Sequence, residues 1–573
     1  MLDSAVQAAF DADVIVIGSG FGGSVAALRM AEKGYSVLVI ERGKRWLAAD
    51  FPKSNWNAFK SLWAPAFYMV GTLKMTLLDN VFILSGAGVG GGSLVYANTL
   101  LVPPEPFFRD PQWADLLDDW QSEMRPYYER AQRMLGAVAN PVYGPADRVL
   151  REIASDMGVE HTFKTTDVGV FFGKAGETVP DPYFGGKGPD RTGCIRCGAC
   201  MTGCKHGAKN TLDKNYLYLA ERLGTTIVPE TEALTIEACG GPASRGDQGW
   251  QVRVRPSIGL ARWFGTRKTL RSKMVVLAGG VLGTVPLLMR SRELGLLPDF
   301  PASLGHKLRT NSEAICGATG ARVPDDFSKG IAITSGAYFD KDTHIEVVRY
   351  GKGQDAMSLL ATLLTDGGGR VPRGLRWLGT VLRNPVAFVR TWWKFGWAEH
   401  GIILLVMQTL DNSLNAVWRR AWWSPFQRTL RTELPIGQAV NPTYIPLGNE
   451  VARRVAKKID GIAMSSVNEV LLDIPTTAHI LGGCPIGAVG KGVVDAQQRV
   501  HGHHGLWICD GSVMPANLGV NPSLTITALA EHAMDAVPAK SGAVGAPLIA
   551  HVLPVPAPDP RDEIPKVDRK LSE

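Results

Sequence analysis

Four cysteines stand together as Cys194-Ile-Arg-Cys197-Gly-Ala-Cys200-Met-Thr-Gly-Cys204. The spacing C-x2-C-x2-C-x3-C is that of a bacterial ferredoxin run, except that Lys205 stands where proline is usual. Two-residue loops let three thiolates converge on one face of a cube, and Gly198 and Gly203 ease the backbone around inorganic sulfide. With Cys204 as fourth ligand the set suits a [4Fe–4S] cluster better than a [3Fe–4S] one. Two other readings stay open: a zinc site, which usually separates its C-x2-C knuckles by a longer loop, and cysteines that are vestigial or form disulfides. Such crowding favours a metal or redox site in a reducing compartment over a disulfide framework, and so a cytoplasmic protein.

A second chemistry is written near the N-terminus. Asp13-Val-Ile-Val-Ile-Gly-Ser-Gly-Phe-Gly-Gly23 joins an apolar strand to a helix through Gly18-x-Gly20-x-x-Gly23, and a second apolar run ends in Glu41. This is a βαβ unit built to hold a dinucleotide. Gly18 permits the turn, Gly20 lets backbone approach a pyrophosphate, and Gly23 lets helix and strand pack closely. The helix N-terminus offers free N–H groups to the phosphates. Glu41 should accept hydrogen bonds from an adenosine ribose.

Other segments must position these groups. A second glycine loop, Gly86-Ala-Gly88-Val-Gly90-Gly91-Gly92-Ser93, lies between strand-like runs at 81–84 and 94–95, as if backbone must approach something flat or anionic. Residues 103–135 read as acidic, aromatic and helical, and 141–188 as surface loops. Strands are predicted at 225–229, 250–254 and 273–277, the last running into Ala278-Gly279-Gly280. More follow at 343–350, 401–408 and 506–509, then the turn Asp510-Gly511 and a long apolar helix over 524–537. Beyond residue 541 the chain reads as a disordered tail.

The 573 residues exceed one simple core, and 45% hydrophobic with 20% charged content describes a globular protein. A net charge of +7, spread along the chain, gives no nucleic-acid signature. No stretch reaches the ~18 apolar residues of a spanning helix, and the first thirteen residues lack a basic n-region. The expected architecture is α/β. A discontinuous Rossmann-like cofactor domain (1–50, 76–105, 222–305, 475–540) carries an inserted α+β substrate domain with an antiparallel sheet. The insertion and covering loops span 51–75, 106–221 and 306–474, with the tail at 541–573.

Both glycine loops, the 278–283 turn and the C-terminal block together resemble the glucose-methanol-choline (GMC) family of FAD oxidoreductases. Three passages bring the likeness nearest to the cholesterol oxidases of actinobacteria: Gly88-Val-Gly-Gly-Gly-Ser-Leu-Val95, His479-Ile-Leu-Gly-Gly483, and Gly519-Val-Asn-Pro-Ser-Leu-Thr-Ile-Thr-Ala-Leu-Ala-Glu531. The resemblance implies FAD, with Gly18, Gly20, Gly22, Gly23 and Glu41 at its adenosine end. The isoalloxazine is expected against Gly90, Gly91, Gly92 and Ser93 and the start of the last helix. Gly88, Ala278, Gly279, Asp510, Gly511, Asn521 and Pro522 complete the implied set. Tyr96-Ala97-Asn98 departs from the Asn-Gly that cholesterol oxidases tend to carry after this loop.

Flavin-dependent alcohol oxidation needs a hydride acceptor and a base for the hydroxyl proton. A neutral imidazole suits the second task. The resemblance gives that place to His479, and gives Asn521 the task of orienting the substrate oxygen. Cholesterol oxidases also move a Δ5 double bond with a carboxylate. Alignment puts Asp355 in that place, with Glu346 as the alternative. The implied reaction is oxidation of a secondary alcohol on a bulky apolar substrate, a 3β-hydroxysteroid first, a terpenoid or long-chain alcohol second. With an iron–sulfur cluster, electrons would leave singly to a redox carrier. A flavin and iron–sulfur carrier without its own substrate is the reading from another class.

One tract mixes charge with large aromatics: Arg373, Arg376, Trp377, Arg383, Arg390, Trp392, Trp393, Lys394 and Trp397, echoed by Arg419, Arg420, Trp422 and Trp423. Pro385 splits it into two short amphipathic pieces. It suits peripheral contact with a membrane, or else tryptophans packed beneath solvated arginines. His501, His503 and His504 read as solvated surface rather than as metal ligands.

Overall fold

The structure, a computed structural model, describes residues 10–320, 325–392, 395–421, 424–437 and 441–543. Trp393, Lys394, Trp422, Trp423 and the tail beyond 543 lie outside these residues.

Val14, Ile15 and Val16 are fully buried, as a strand covered on both faces requires. Ala12–Ile17 pairs in parallel with Val37–Ile40 on one side and Lys268–Leu277 on the other. Thr226–Val228 extends the parallel edge beyond Val37–Ile40, and Leu506–Ile508 runs parallel to the end of Lys268–Leu277. Trp250–Pro256 and Thr231–Ala238 complete this sheet in antiparallel fashion. Strands far apart in sequence thus close one seven-stranded sheet. Each buried Val or Ile contributes about 1.5–3 kcal/mol.

The second seven-stranded sheet is antiparallel throughout, in the order Ala361–Leu363, Gly461–Ser466, Ala314–Gly320, Gly401–Gln408, Thr343–Val348, Ile333–Tyr338, Lys164–Thr165. Helices Pro145–Asp156 and Pro446–Lys458 bury their apolar stripes against it. The fold class is therefore mixed α/β, with an antiparallel sheet beside the parallel one.

One helix corrects the expectation of surface loops over 141–188. Pro145 opens Pro145–Asp156, the Asp147 carboxylate accepts the Gly144 N–H at 2.7 Å, and Val149, Leu150, Ile153 and Ala154 face the core. The proline and aspartates that mimic a loop are here a helix start.

A small sheet joins Leu73–Leu77 antiparallel to Phe82–Gly86, which pairs in parallel with Thr476–Thr477. It carries the approach to His479 alongside the approach to the second glycine loop. The last helix, Ser523–Asp535, packs on Phe21–Glu32 and Trp120–Leu135. Its fully buried Glu531 is paired with Arg29 at 2.8 Å and accepts the Tyr216 hydroxyl at 2.7 Å, which fixes the helix whose start holds Asn521 and Pro522. Among the described residues no helix is long and apolar enough to cross a membrane.

Candidate active site

The strand ends of the parallel sheet, the second glycine loop and the inner face of the antiparallel sheet enclose one cavity of about 620 Å³. Its size is that of a cofactor or drug-like ligand site, about 300–1,000 Å³.

Gly18, Gly20, Gly22, Glu41, Gly91, Gly92, Ala278, Gly279, Asp510, Gly511, Asn521 and Pro522 all line it. The glycines differ in what they do. Gly18 has φ +106°, and a Cβ there would stand 2.3 Å from the Ala278 carbonyl oxygen. A Cβ on Gly22 would be 1.7 Å from the Cys509 carbonyl oxygen, and one on Gly23 2.1 Å from the Gly18 carbonyl oxygen. Those three let chain pack on chain. Gly20 is different: a Cβ there meets nothing within 4 Å, so the bare backbone faces open space. Helix Phe21–Glu32 begins there with no side-chain cap, leaving its first N–H groups to the cavity. That arrangement fits a pyrophosphate.

Glu41 lines the cavity and also fixes the turn. One of its oxygens accepts the Ser19 N–H at 3.1 Å and hydroxyl at 2.7 Å, and the other accepts the Gly43 N–H at 2.8 Å. Gly23, Gly88, Gly90 and Ser93 stand behind the lining. The Ser93 hydroxyl donates to the Gly90 carbonyl at 2.7 Å and accepts the Leu212 N–H at 3.1 Å, so it braces the loop. Asp510 accepts from Gly280 N–H at 2.8 Å, Thr284 hydroxyl at 2.6 Å and Ser512 N–H at 2.8 Å. Burial pushes its pKa up.

His479 and Asn521 come together on the cavity wall. His479 Nδ1 is hydrogen-bonded to Glu313 Oε1. The other Glu313 oxygen accepts the Ala478 N–H at 2.8 Å, and the His479 N–H donates to Thr477 Oγ1 at 2.9 Å. A carboxylate acceptor assigns the ring proton to Nδ1 and leaves the Nε2 lone pair for the cavity. Burial works against charge on His479, but Glu313 outweighs it and the imidazole pKa lies above its ordinary value.

Asn521 Nδ2 donates to Glu346 Oε2 at 3.2 Å. Glu346 Oε1 and Asn521 Oδ1 are buried, and neither has a hydrogen-bond partner among the described residues. Burial pushes the Glu346 carboxyl up to about 7. The geometry therefore sets an imidazole, a neutral amide and a carboxyl able to hold a proton on one cavity wall.

The hub of this arrangement is absent from the sequence reading. Asn311 Oδ1 accepts the Leu518 and Gly519 N–H groups at 3.0 and 2.8 Å, and Asn311 Nδ2 donates to the Val520 carbonyl at 3.1 Å. Asn311 and Ser312 have φ +58° and +49°, left-handed values that are uncommon outside glycine. One strained turn thus holds the Asn521 loop and presents Glu313 to His479. The only clue in the chain is a polar run, Thr310-Asn-Ser-Glu313, entering an apolar strand.

Asp355, expected as the carboxylate for the double-bond shift, stands apart from Glu346 and Asn521. It is buried away from the cavity lining and accepts the Ala398 N–H at 2.8 Å and the Gly396 N–H at 3.2 Å. Its carboxylate is taken up by backbone. Glu346, on Thr343–Val348, is the carboxyl beside Asn521.

Cys194, Cys197, Cys200 and Cys204 are free thiols lining one small cavity with His206 and Lys209. Burial raises the thiol pKa of Cys194 and Cys197, and that of Cys200 to about 11. Burial also pulls Lys209 down to about 7, while its Nζ donates to the carbonyls of Cys200 at 2.9 Å and Leu94 at 3.0 Å. Among the described residues no group of three or more His, Cys, Asp or Glu side chains is arranged to hold a metal ion. The iron–sulfur and zinc expectations therefore gain no support from the geometry. The loop still abuts the main cavity, because Met201 and Thr202, between Cys200 and Cys204, line it.

Comparison with known proteins decides the family. The chain matches the GMC oxidoreductase models over residues 188–308 and 431–530, and an FAD binding domain model over 13–51. It is 50% identical over 548 residues to a cholesterol oxidase of Mycobacterium tuberculosis, covering 92% of each chain. The chain belongs to the GMC oxidoreductase family. A cholesterol oxidase of Acinetobacter baumannii is 46% identical over 537 residues, 93% of this chain and 95% of that one. Among solved structures, pyridoxine 4-oxidase of Mesorbium loti superposes with a TM-score of 0.55 at 14% identity, over 91% of this chain and 98% of that one, a likeness of fold. This GMC protein is an FAD-dependent alcohol oxidoreductase.

Proposed function

We propose that this enzyme oxidises the secondary alcohol of a sterol, a 3β-hydroxysteroid. The supporting relatives are the two cholesterol oxidases, at 46 and 50% identity over nearly the whole chain. The cavity wall on the antiparallel-sheet side agrees, since Ile315, Ile333, Val348, Leu405 and Met464 make it apolar. FAD, when bound, supplies the two-electron acceptor, held by Gly18, Gly20, Gly22, Glu41, the 90–93 loop and the start of the last helix. His479 Nε2 takes the hydroxyl proton. Glu313 holds the productive tautomer and stabilises the imidazolium that results. Asn521 orients the alcohol oxygen, and Glu346, not Asp355, is the carboxyl placed for a later proton shift along the steroid.

The observation that carries this reading is the pairing of His479 with buried Glu313 on the same wall as Asn521. The test compares His479→Ala and Asn521→Ala with the parent on sterols and on terpenoid and long-chain alcohols, with oxygen and with a dye as acceptor. Turnover should fall by about 10²–10⁴ while the flavin spectrum persists. Full turnover in His479→Ala would remove the base assignment, and preference for aliphatic alcohols would replace the sterol.

A second route for the electrons, through an iron–sulfur cluster on the four cysteines to a carrier, rests on their spacing in the chain alone. Lys209 would offset the cluster's negative charge. Anaerobic purification with iron and visible-spectrum measurement tests it, and a bare flavin spectrum with no iron ends it.

A further inference from the structure

Lys209 is a buried cation that alcohol oxidation, as built above, does not use. It is 1% exposed. Its Nζ donates to the Leu94 carbonyl at 3.0 Å and the Cys200 carbonyl at 2.9 Å, and lies over the Tyr96 ring, 4.6 Å from the centroid. Asp213 is near enough to favour its charge, yet pairs with Lys214 at 3.2 Å. Among the described residues no carboxylate forms an ion pair with Lys209. Two carbonyls and a ring face ease the loss of water but do not neutralise the charge. A buried cation without an anion is costly to keep unless the site it faces supplies one.

The groups that hold it belong to the cavity wall. Leu94 ends the turn Gly91–Leu94, and Gly91, Gly92, Val95, Tyr96 and Ala97 line the cavity. Cys200 precedes Met201 and Thr202, which line it too. Lys209 thus stands directly behind two lining stretches and joins them. Its backbone is fixed from the other side, where the Arg191 guanidinium donates to the Ala208 and Lys209 carbonyls at 2.9 and 3.0 Å. Tyr96 is fixed as well: its hydroxyl donates to the Asn210 carbonyl at 3.0 Å, and its ring meets Phe21 edge-on at 5.6 Å. A charge held this firmly on one side of a site acts as a preorganised field.

We propose that Lys209 sets the reduction potential of the bound FAD: its cation, behind the 91–97 wall, favours the reduced cofactor and so draws the alcohol oxidation forward. The alcohol gives up a hydride from carbon and a proton from oxygen. The ketone forms, the hydride with its two electrons goes to FAD, and the proton goes to His479. The cofactor thereby gains one negative charge, and a fixed cation nearby in a water-poor wall favours that state over the oxidised one. The inference rests on the flavin lying against the 90–93 loop, as proposed above, and not on the sterol.

The test measures the midpoint potential of the FAD-loaded protein by equilibration with a redox dye at pH 6, below the value of about 7 to which burial brings Lys209. Lys209→Gln keeps a donor and loses the charge, Lys209→Met loses both, and Lys209→Arg keeps the charge. In the Gln and Met variants the two-electron equilibrium should shift roughly tenfold or more toward oxidised FAD, about 30 mV per tenfold. In Lys209→Arg it should stay near that of the parent. The rate of flavin reduction by the alcohol should fall in step with the potential. A potential in Lys209→Gln equal to the parent's overturns the inference and leaves the lysine as a pin between two loops. So does a shift in Lys209→Arg as large as in Lys209→Gln, which would report disturbed loops and not charge. Gly92→Ala checks the premise separately. Its methyl meets only the Phe21 ring, at 3.6 Å, so the fold should stand while FAD affinity drops. Full affinity in that variant would move the flavin away from the loop and retire the inference by losing its premise, whatever the lysine variants show.

Discussion

At the scale of single residues, the site rests on two buried carboxyl groups with opposite duties. Glu313 faces His479 and favours its charge, so removing it lowers the imidazole pKa. Glu313→Gln should therefore move the acid limb of the kcat/KM pH profile to lower pH, and kcat should fall about 10- to 100-fold because the tautomer is less firmly held. A profile whose acid limb stays in place would show that Glu313 does not act on His479. Glu346 works the other way. Its carboxyl is raised by burial to about 7, above the ordinary 4.5, so folding favours the protonated form. Its stabilising contribution is complete below the unfolded value and is lost as pH rises through the folded one. Glu346→Gln should then raise Tm at pH 8 relative to the parent and leave it nearly unchanged at pH 4, with oxidation of the alcohol largely retained. Scanning calorimetry at the two pH values checks the sign.

At the scale of elements, the glycine turn separates packing from binding. Gly20→Ala puts a methyl into open space at an ordinary φ of −71°, so the protein should fold and lose FAD affinity. Gly22→Val drives side chain into the Cys509 carbonyl and should give little folded protein. Fluorescence titration with FAD and circular dichroism separate the two outcomes. Asp355→Ala tests whether this carboxylate serves the backbone or the chemistry. Two backbone N–H groups lose their acceptor, a cost of about 1–3 kcal/mol each where they are buried, while turnover of dispersed alcohol should persist. The fold-forming strands were legible because their apolar runs are local: Gly401–Gln408 stands where its sequence puts it, and Leu506–Ile508 within one residue. Pro145–Asp156 was not, since its Pro and Asp are equally at home in turns, and only the sheet beneath it makes the helix stable.

At the scale of the whole molecule, the cavity lies between the two large sheets, so what fills it also holds them together. Removing FAD should lower Tm, and restoring it at a hundred times its Kd should return about 2.7 kcal/mol, with Tm rising as free FAD rises. A Tm indifferent to FAD would mean that the sheets stand without it.

The chain by itself determined the dinucleotide turn, the parallel strands around it, and the family, because those signals lie in contiguous residues whose spacing obeys backbone geometry. It also supplied His479 and Asn521, though only through resemblance. The partners of those two residues were decided by tertiary structure. Glu313 stands 166 positions from His479, and Glu346 175 from Asn521. No local period links such residues. Their proximity is set by which strands pair in which register, and a buried charge takes its pKa from neighbours the chain brings in from elsewhere.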